Sequence, residues 1–128
     1  AGNLVNDDIL GSVEFGCQVA GARLVVVMGH SSCGAVKGAC DDVRLGHLTG
    51  LLAKLRPAVE GVPEPADPAR RTSGEPAFVD AVARKNVELS VDALRERSPI
   101  LRDLESAGSI RIVGAMHDLE TGAVEFFS

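Results

Sequence analysis

A chain of 128 residues, 45% apolar and carrying a formal charge of −5, suits one domain that buries roughly two thirds of its unfolded surface. The charge argues against a nucleic-acid or anionic-membrane partner: the basic clusters, Arg70-Arg71 and Arg84-Lys85, are too short to track phosphates, and no apolar run approaches the ~20 residues that cross a bilayer. Three cysteines are too few for a disulfide framework and point to reduced thiols in a cytoplasmic setting, and the lack of Trp and Tyr argues against a ligand held by stacking.

The chain opens on Ala1-Gly2-Asn3 with no strand ahead of its first helix, and reads as the interior of something longer. Asn6 is a helix N-cap followed by acidic residues that suit the dipole, and Ile9, Val13, Cys17 and Ala20 form an inward stripe closed by Gly21. Leu24–Met28, apolar throughout and rich in β-branched residues, predicts a parallel strand covered on both faces. A helix follows from about Ser32 to Cys40. Leu48, Leu51, Leu52 and Leu55 mark another, bent at or just before Pro57.

Prolines 63, 65, 68 and 76 mark a surface loop from Gly61 to Pro76. A long helix then spans about Pro76 to Arg97 with Val79, Val82, Val87, Val91 and Leu94 inward, its other side carrying the solvated charges Arg84, Lys85, Glu88, Arg95 and Glu96. Ser98 caps a short helix with Pro99 at its first position, ending by Gly108. Ser109–Ala115 is a second buried strand, and Val124–Phe126 belongs to a final strand with alternating faces. The order of elements makes one α/β domain over residues 1–128, with the two apolar strands parallel.

Ligands in open α/β sheets collect beyond the carboxyl ends of parallel strands, where His30 and Cys33 fall. Imidazole and thiolate are preferred by Zn²⁺, and a helix N-terminus favours the thiolate. The competing reading is a thiol packed as a small hydrophobe beside a capping histidine. Cys17 lies on the apolar face of the first helix, and Cys40 lies two turns beyond Cys33, ~10 Å along the helix at 1.5 Å per residue, so neither completes a site with His30 and Cys33. His47 faces solvent or caps a helix. His117 stands just past a strand end, on the same rim as His30 if the strands are parallel, with a surface or interface role. Asp41, Asp42 and Asp118 are turn formers.

Gly29-His30-Ser31-Ser32-Cys33-Gly34-Ala35 closely resembles the second zinc-ligand motif of the β-class carbonic anhydrases. Ala1-Gly2-Asn3 resembles the end of that family's Arg-x-Ala-Gly-Asn segment, Ser12-Val13-Glu14-Phe15 its Ser-[Leu/Ile/Val]-Glu-[Tyr/Phe] helix, and Ile112–Asp118 through Gly122 its penultimate strand and turn, where tyrosine is more usual than His117. The resemblance implies a three-layer α/β fold around a mainly parallel sheet with an antiparallel final strand. It also implies a zinc lyase that interconverts carbon dioxide and bicarbonate, working as a homodimer or larger homo-oligomer. By matched position, His30 and Cys33 are metal ligands, the Gly34 N–H bonds bicarbonate, and Phe15 lines a pocket in the partner subunit.

The family's Cys-x-Asp-x-Arg motif, with its first zinc ligand and its aspartate–arginine pair, matches nothing in these 128 residues, and neither do the two strands that normally precede Ala1. A bare apolar edge on Leu24–Met28 is an aggregation liability, so a neighbouring strand is expected there, from upstream sequence or another chain. Two other readings stay open: a catalytically inactive homologue or truncated subunit with an incomplete zinc site, and a redox or regulatory thiol protein using Cys33.

Overall fold

A computed structural model describes residues 1–127. Helix α1 (Asp7–Gln18) begins where its cap predicts: the Asn6 side chain accepts a hydrogen bond from Ile9 N at 2.9 Å, with Asp7 and Asp8 in the first turn. Its inward stripe differs from the expected one. Leu10 and Cys17 are buried, whereas Ile9 and Ala20 face solvent. The helix stops at Gln18, and Val19 N and Ala20 N both bond to Phe15 O, so Ala20 belongs to the terminating turn.

Strand β1 (Leu24–His30) leads into α2 (Gly34–Cys40), α3 (Gly46–Ala53) and α4 (Arg56–Glu60). The leucine stripe is divided between α3 and the residues before α4. Leu52 and Leu55 are buried, and Leu48 is exposed. Pro57 lies in the first turn of α4, where its missing N–H leaves nothing unpaired, so it starts a helix instead of bending one.

The proline-rich loop includes one 3-10 turn, Pro68–Arg70, and is organised by Arg71. The Arg71 guanidinium donates to the carbonyls of Val59, Val62 and Pro65 at 2.7–3.1 Å and lies 4.7 Å from the centre of the Phe78 ring. Helix α5 (Pro76–Arg97) matches its predicted span, and all five inward residues are buried. In α6 (Pro99–Ser106), Ser98 Oγ accepts from Leu101 N as the cap, and it also donates to Glu14. Two charges assigned to the solvated side of α5 are engaged. Arg84 is bidentate to Glu125, and Arg95 binds Glu105 and the Ile112 carbonyl.

Strands β2 (Arg111–His117) and β3 (Val124–Phe127) complete a sheet of order β1-β2-β3. β1 and β2 are parallel, in register from Leu24↔Arg111 to His30↔His117, and β3 is antiparallel to β2. The α/β class, the parallel pair and the antiparallel last strand are those expected. Helix α5 crosses one face of the sheet closely because two glycines leave it room. A Cβ at Gly29 would lie 2.8 Å from Met116 Sδ and 2.9 Å from Val87 Cγ2, and one at Gly114 would lie 2.8 Å from both Phe127 Cε2 and Val87 Cγ1.

The core divides at that crossing. One part gathers Val36, Leu55, Phe78 and Val82, the other Leu10, Val87, Leu101 and Ile112. The opposite face of β1 is uncovered, with Leu24 55% and Met28 48% exposed and Val26 beside them, so the expected cover is present on one face only. A continuous apolar run does not distinguish one covered face from two. Among the described residues β1 has no neighbouring strand on its outer edge; the strand expected there, from upstream sequence or another chain, lies outside them.

Candidate metal centre

The turn after β1 is fixed at both ends. Ser31 N donates to His117 O at 3.0 Å, and Ser31 Oγ accepts from Leu119 N at 2.9 Å, which ties the end of β1 to the end of β2. Ser32 then takes a left-handed φ of 53°, unusual for a side chain with a Cβ, and Cys33 becomes the N-cap of α2 in an extended conformation. His30 Nδ1 lies 2.8 Å from Ser31 O. A carbonyl can only accept, so Nδ1 carries a proton and Nε2 is the ring nitrogen available to a metal. Cys33 is buried at the edge of the core beside Val36 and Ala83, and its side chain makes no capping bond.

His30 and Cys33 share a cavity of about 250 Å³ whose wall includes Ala1, Gly2, Asn3 and Met28. The N-terminal segment is packed in place. Gly2 has φ 71°, and a Cβ there would meet Leu55 at 3.1 Å. Asn3, also left-handed at φ 43°, donates from Nδ2 to Met28 O at 3.4 Å. On α5, the buried Asn86 donates to Gly2 O and, at 2.9 Å, to Asn3 Oδ1, while Ser90 Oγ donates to Asn3 O at 3.0 Å. Asn86 and Ser90 are not among the residues singled out from sequence, and Gly2 and Asn3 entered only through the resemblance. The available signal was a pair of small polar residues, i and i+4, inside the apolar stripe of α5.

The other candidates lie elsewhere. Gly34 opens α2, and a Cβ at that position would meet nothing within 4 Å, so its main chain is accessible. Phe15, 60% exposed, points away from the core on α1. Cys17 is buried in the second part of the core, and burial raises its thiol pKa. Cys40 lies at the far end of α2, its pKa pushed up to about 11 by burial and then by the neighbouring Asp41. His47 is exposed. His117 stands level with His30 and lines a larger cavity of about 680 Å³ with Lys37, Asp80, Arg84 and Glu125. Asp118 accepts from Glu120 N and Thr121 N, as a turn former does, and the first of these bonds does most to lower its pKa.

The donor chemistry of His30 and Cys33 fits a zinc ion: a thiol and an imidazole with its second nitrogen held by a carbonyl, the arrangement that orients a metal-ligating histidine. They make half of a tetrahedral set, and no group of three His, Cys, Asp or Glu is assembled among the described residues.

The sequence model of the carbonic anhydrase family matches residues 1–124. The chain belongs to the β-class carbonic anhydrases. It is 34% identical over 122 residues to carbonic anhydrase 2 of Mycobacterium tuberculosis, covering 95% of this chain and 57% of that one. To the carbonic anhydrase of Mycolicibacterium smegmatis it is 34% identical over 128 residues, covering 60% of that protein. The fold is that of solved β-carbonic anhydrases: a tetrameric enzyme of Sordaria macrospora superimposes with a TM-score of 0.78 at 20% identity, and CcaA with 0.80 at 19%, each over 97% of this chain and about three fifths of the other. The chain thus spans about three fifths of the length of these relatives.

Proposed function

We propose that this chain is the portion of a zinc-dependent carbonic anhydrase that carries two of the metal's protein ligands, His30 and Cys33, and that it serves the reversible hydration of carbon dioxide to bicarbonate. The observation carrying this reading is the joint placement of His30 and Cys33 on one cavity at the carboxyl end of β1, with the His30 ring oriented by Ser31 O. A bound Zn²⁺ acts as a Lewis acid that lets water ionise near neutral pH. The chain's own residues prepare for it. Ser31 holds the imidazole with Nε2 free, Cys33 supplies a thiol from a site screened from bulk water, and Gly34 leaves its N–H open to a bicarbonate oxygen. The exposed Phe15 and the uncovered face of β1 support a homo-oligomer in which Phe15 lines a partner's pocket. A cytoplasmic setting is proposed from the three free cysteines.

The second reading, an inactive homologue or truncated subunit, is favoured by the ligand set stopping at two among the described residues. A Cys-x-Asp-x-Arg segment encoded upstream of Ala1 would decide for the enzyme. The direct test is zinc content per chain and carbon dioxide hydration by stopped flow. Cys33→Ser and His30→Ala are expected to lower metal affinity at least about 100-fold and to abolish hydration. Stoichiometric zinc with full activity in Cys33→Ser would overturn the ligand assignment. Rapid alkylation of Cys33 in zinc-replete protein would instead favour the free-thiol reading.

A further inference from the structure

We propose that Asn86, assisted by Ser90, is a positioning residue for the His30/Cys33 half-site, acting from α5 through the main chain of Gly2 and Asn3. The proposal rests on the reading of His30 and Cys33 as metal ligands, and adds a residue that touches neither. Asn86 is 6% exposed, yet the side-chain bonds that satisfy it go to residues at the other end of the chain, 83 and 84 positions away. Ser90, one helical turn on, takes the Asn3 carbonyl, so α5 grips Asn3 by its main chain and its side chain at once. Asn3 in turn reaches the Met28 carbonyl on the bare edge of β1, two residues before His30.

A purely structural use of this contact would need no particular location. Here the gripped segment is a wall of the cavity into which His30 and Cys33 open, and both gripped residues sit at positive φ, a conformation the surroundings must enforce for Asn3. Two buried polar side chains in an apolar helix stripe are costly unless hydrogen-bonded, and the bonds donated by Asn86 Nδ2 and Ser90 Oγ hold one arrangement of the segment. The latch therefore sets how closely the wall approaches Cys33 and whether the edge beside His30 keeps its geometry.

The test uses metal-free protein and follows alkylation of each cysteine by mass spectrometry, since Cys33, Cys17 and Cys40 are all buried and only Cys33 adjoins the gripped segment. Asn86→Asp, which turns a donor into a carboxylate facing two oxygens, is expected to speed alkylation of Cys33 by about tenfold and to leave Cys17 and Cys40 unchanged. Equal acceleration of all three thiols would show general loosening and overturn the proposal, as would no change at Cys33. If Asn86→Asp fails to fold, Ser90→Ala removes a single hydroxyl and is read the same way, with a smaller rise of about threefold expected at Cys33 alone. In a second arm Co²⁺ is added. The unsubstituted protein is expected to show a thiolate-to-cobalt charge-transfer band, and the variant to bind Co²⁺ about tenfold more weakly. Absence of that band in the unsubstituted protein would sink the ligand reading, while the alkylation pattern still decides the latch.

Discussion

At His30 the chain commits one ring nitrogen to a carbonyl of its own turn and leaves the other free, the division of labour a metal-ligating imidazole needs. Glu105 shows a comparable local commitment. It accepts from Arg95 at 2.7 and 3.0 Å and from Ile112 N at 3.2 Å, and the bond from Arg95 does most to hold its carboxyl below the usual 4.5. A depressed carboxylate pKa adds stability that is present above the unfolded value of 4.5 and is lost as pH falls through the folded value. Glu105→Gln is thus expected to cost about 1 kcal/mol at neutral pH, modest because the pair is partly solvated, with the gap to the unsubstituted protein closing as the pH is lowered past that unfolded value. Thermal melts from neutral to acid pH check it, and a gap independent of pH would assign the effect to packing.

Among the elements, those with local causes were legible in the sequence: the bounds of α5 follow from its periodicity, and Ser98-Pro99 announces α6. The paired motif His30/Cys33 was equally legible, because a short turn suffices to place it. What the chain does over long separations was not. A period-two pattern is masked when both faces of a strand are apolar, as in Leu24–Met28, so which face α5 would cover could not be read. Likewise Asn86 and Ser90 announce only that something polar must reach them. Gly29 illustrates how packing reverses a local rule. Alanine in a strand normally gains about 0.5–1 kcal/mol over glycine, but here its methyl would press on Met116 and Val87. Overpacking outweighs the gain, and Gly29→Ala is expected to destabilise by about 1–3 kcal/mol in urea unfolding. A stabilised variant would mean that α5 is free to shift.

Seen as one body, the chain stacks its helices over one side of a three-stranded sheet and leaves the other side, together with the outward stripe of α1, apolar and open. Surfaces of this kind mark contact sites, and Phe15 is the large side chain on α1 that a partner would meet. Phe15→Lys is expected to shift the sedimentation profile towards smaller species while changing the stability of the isolated chain by no more than about 0.5 kcal/mol. An unaltered profile would remove Phe15 from the interface.

The tie between the ends of β1 and β2 has a further consequence, one of timing. Ser31 and Leu119 are separated by 88 residues, and among the described residues β1 finds its pairing strand only when β2 has been made. At the usual ~5–20 residues per second of synthesis, this apolar strand waits roughly 5–20 s for β2. Nascent chains are therefore vulnerable to edge-to-edge capture in that interval, and slowing translation between α2 and β2 should lower soluble yield where a holdase chaperone is absent.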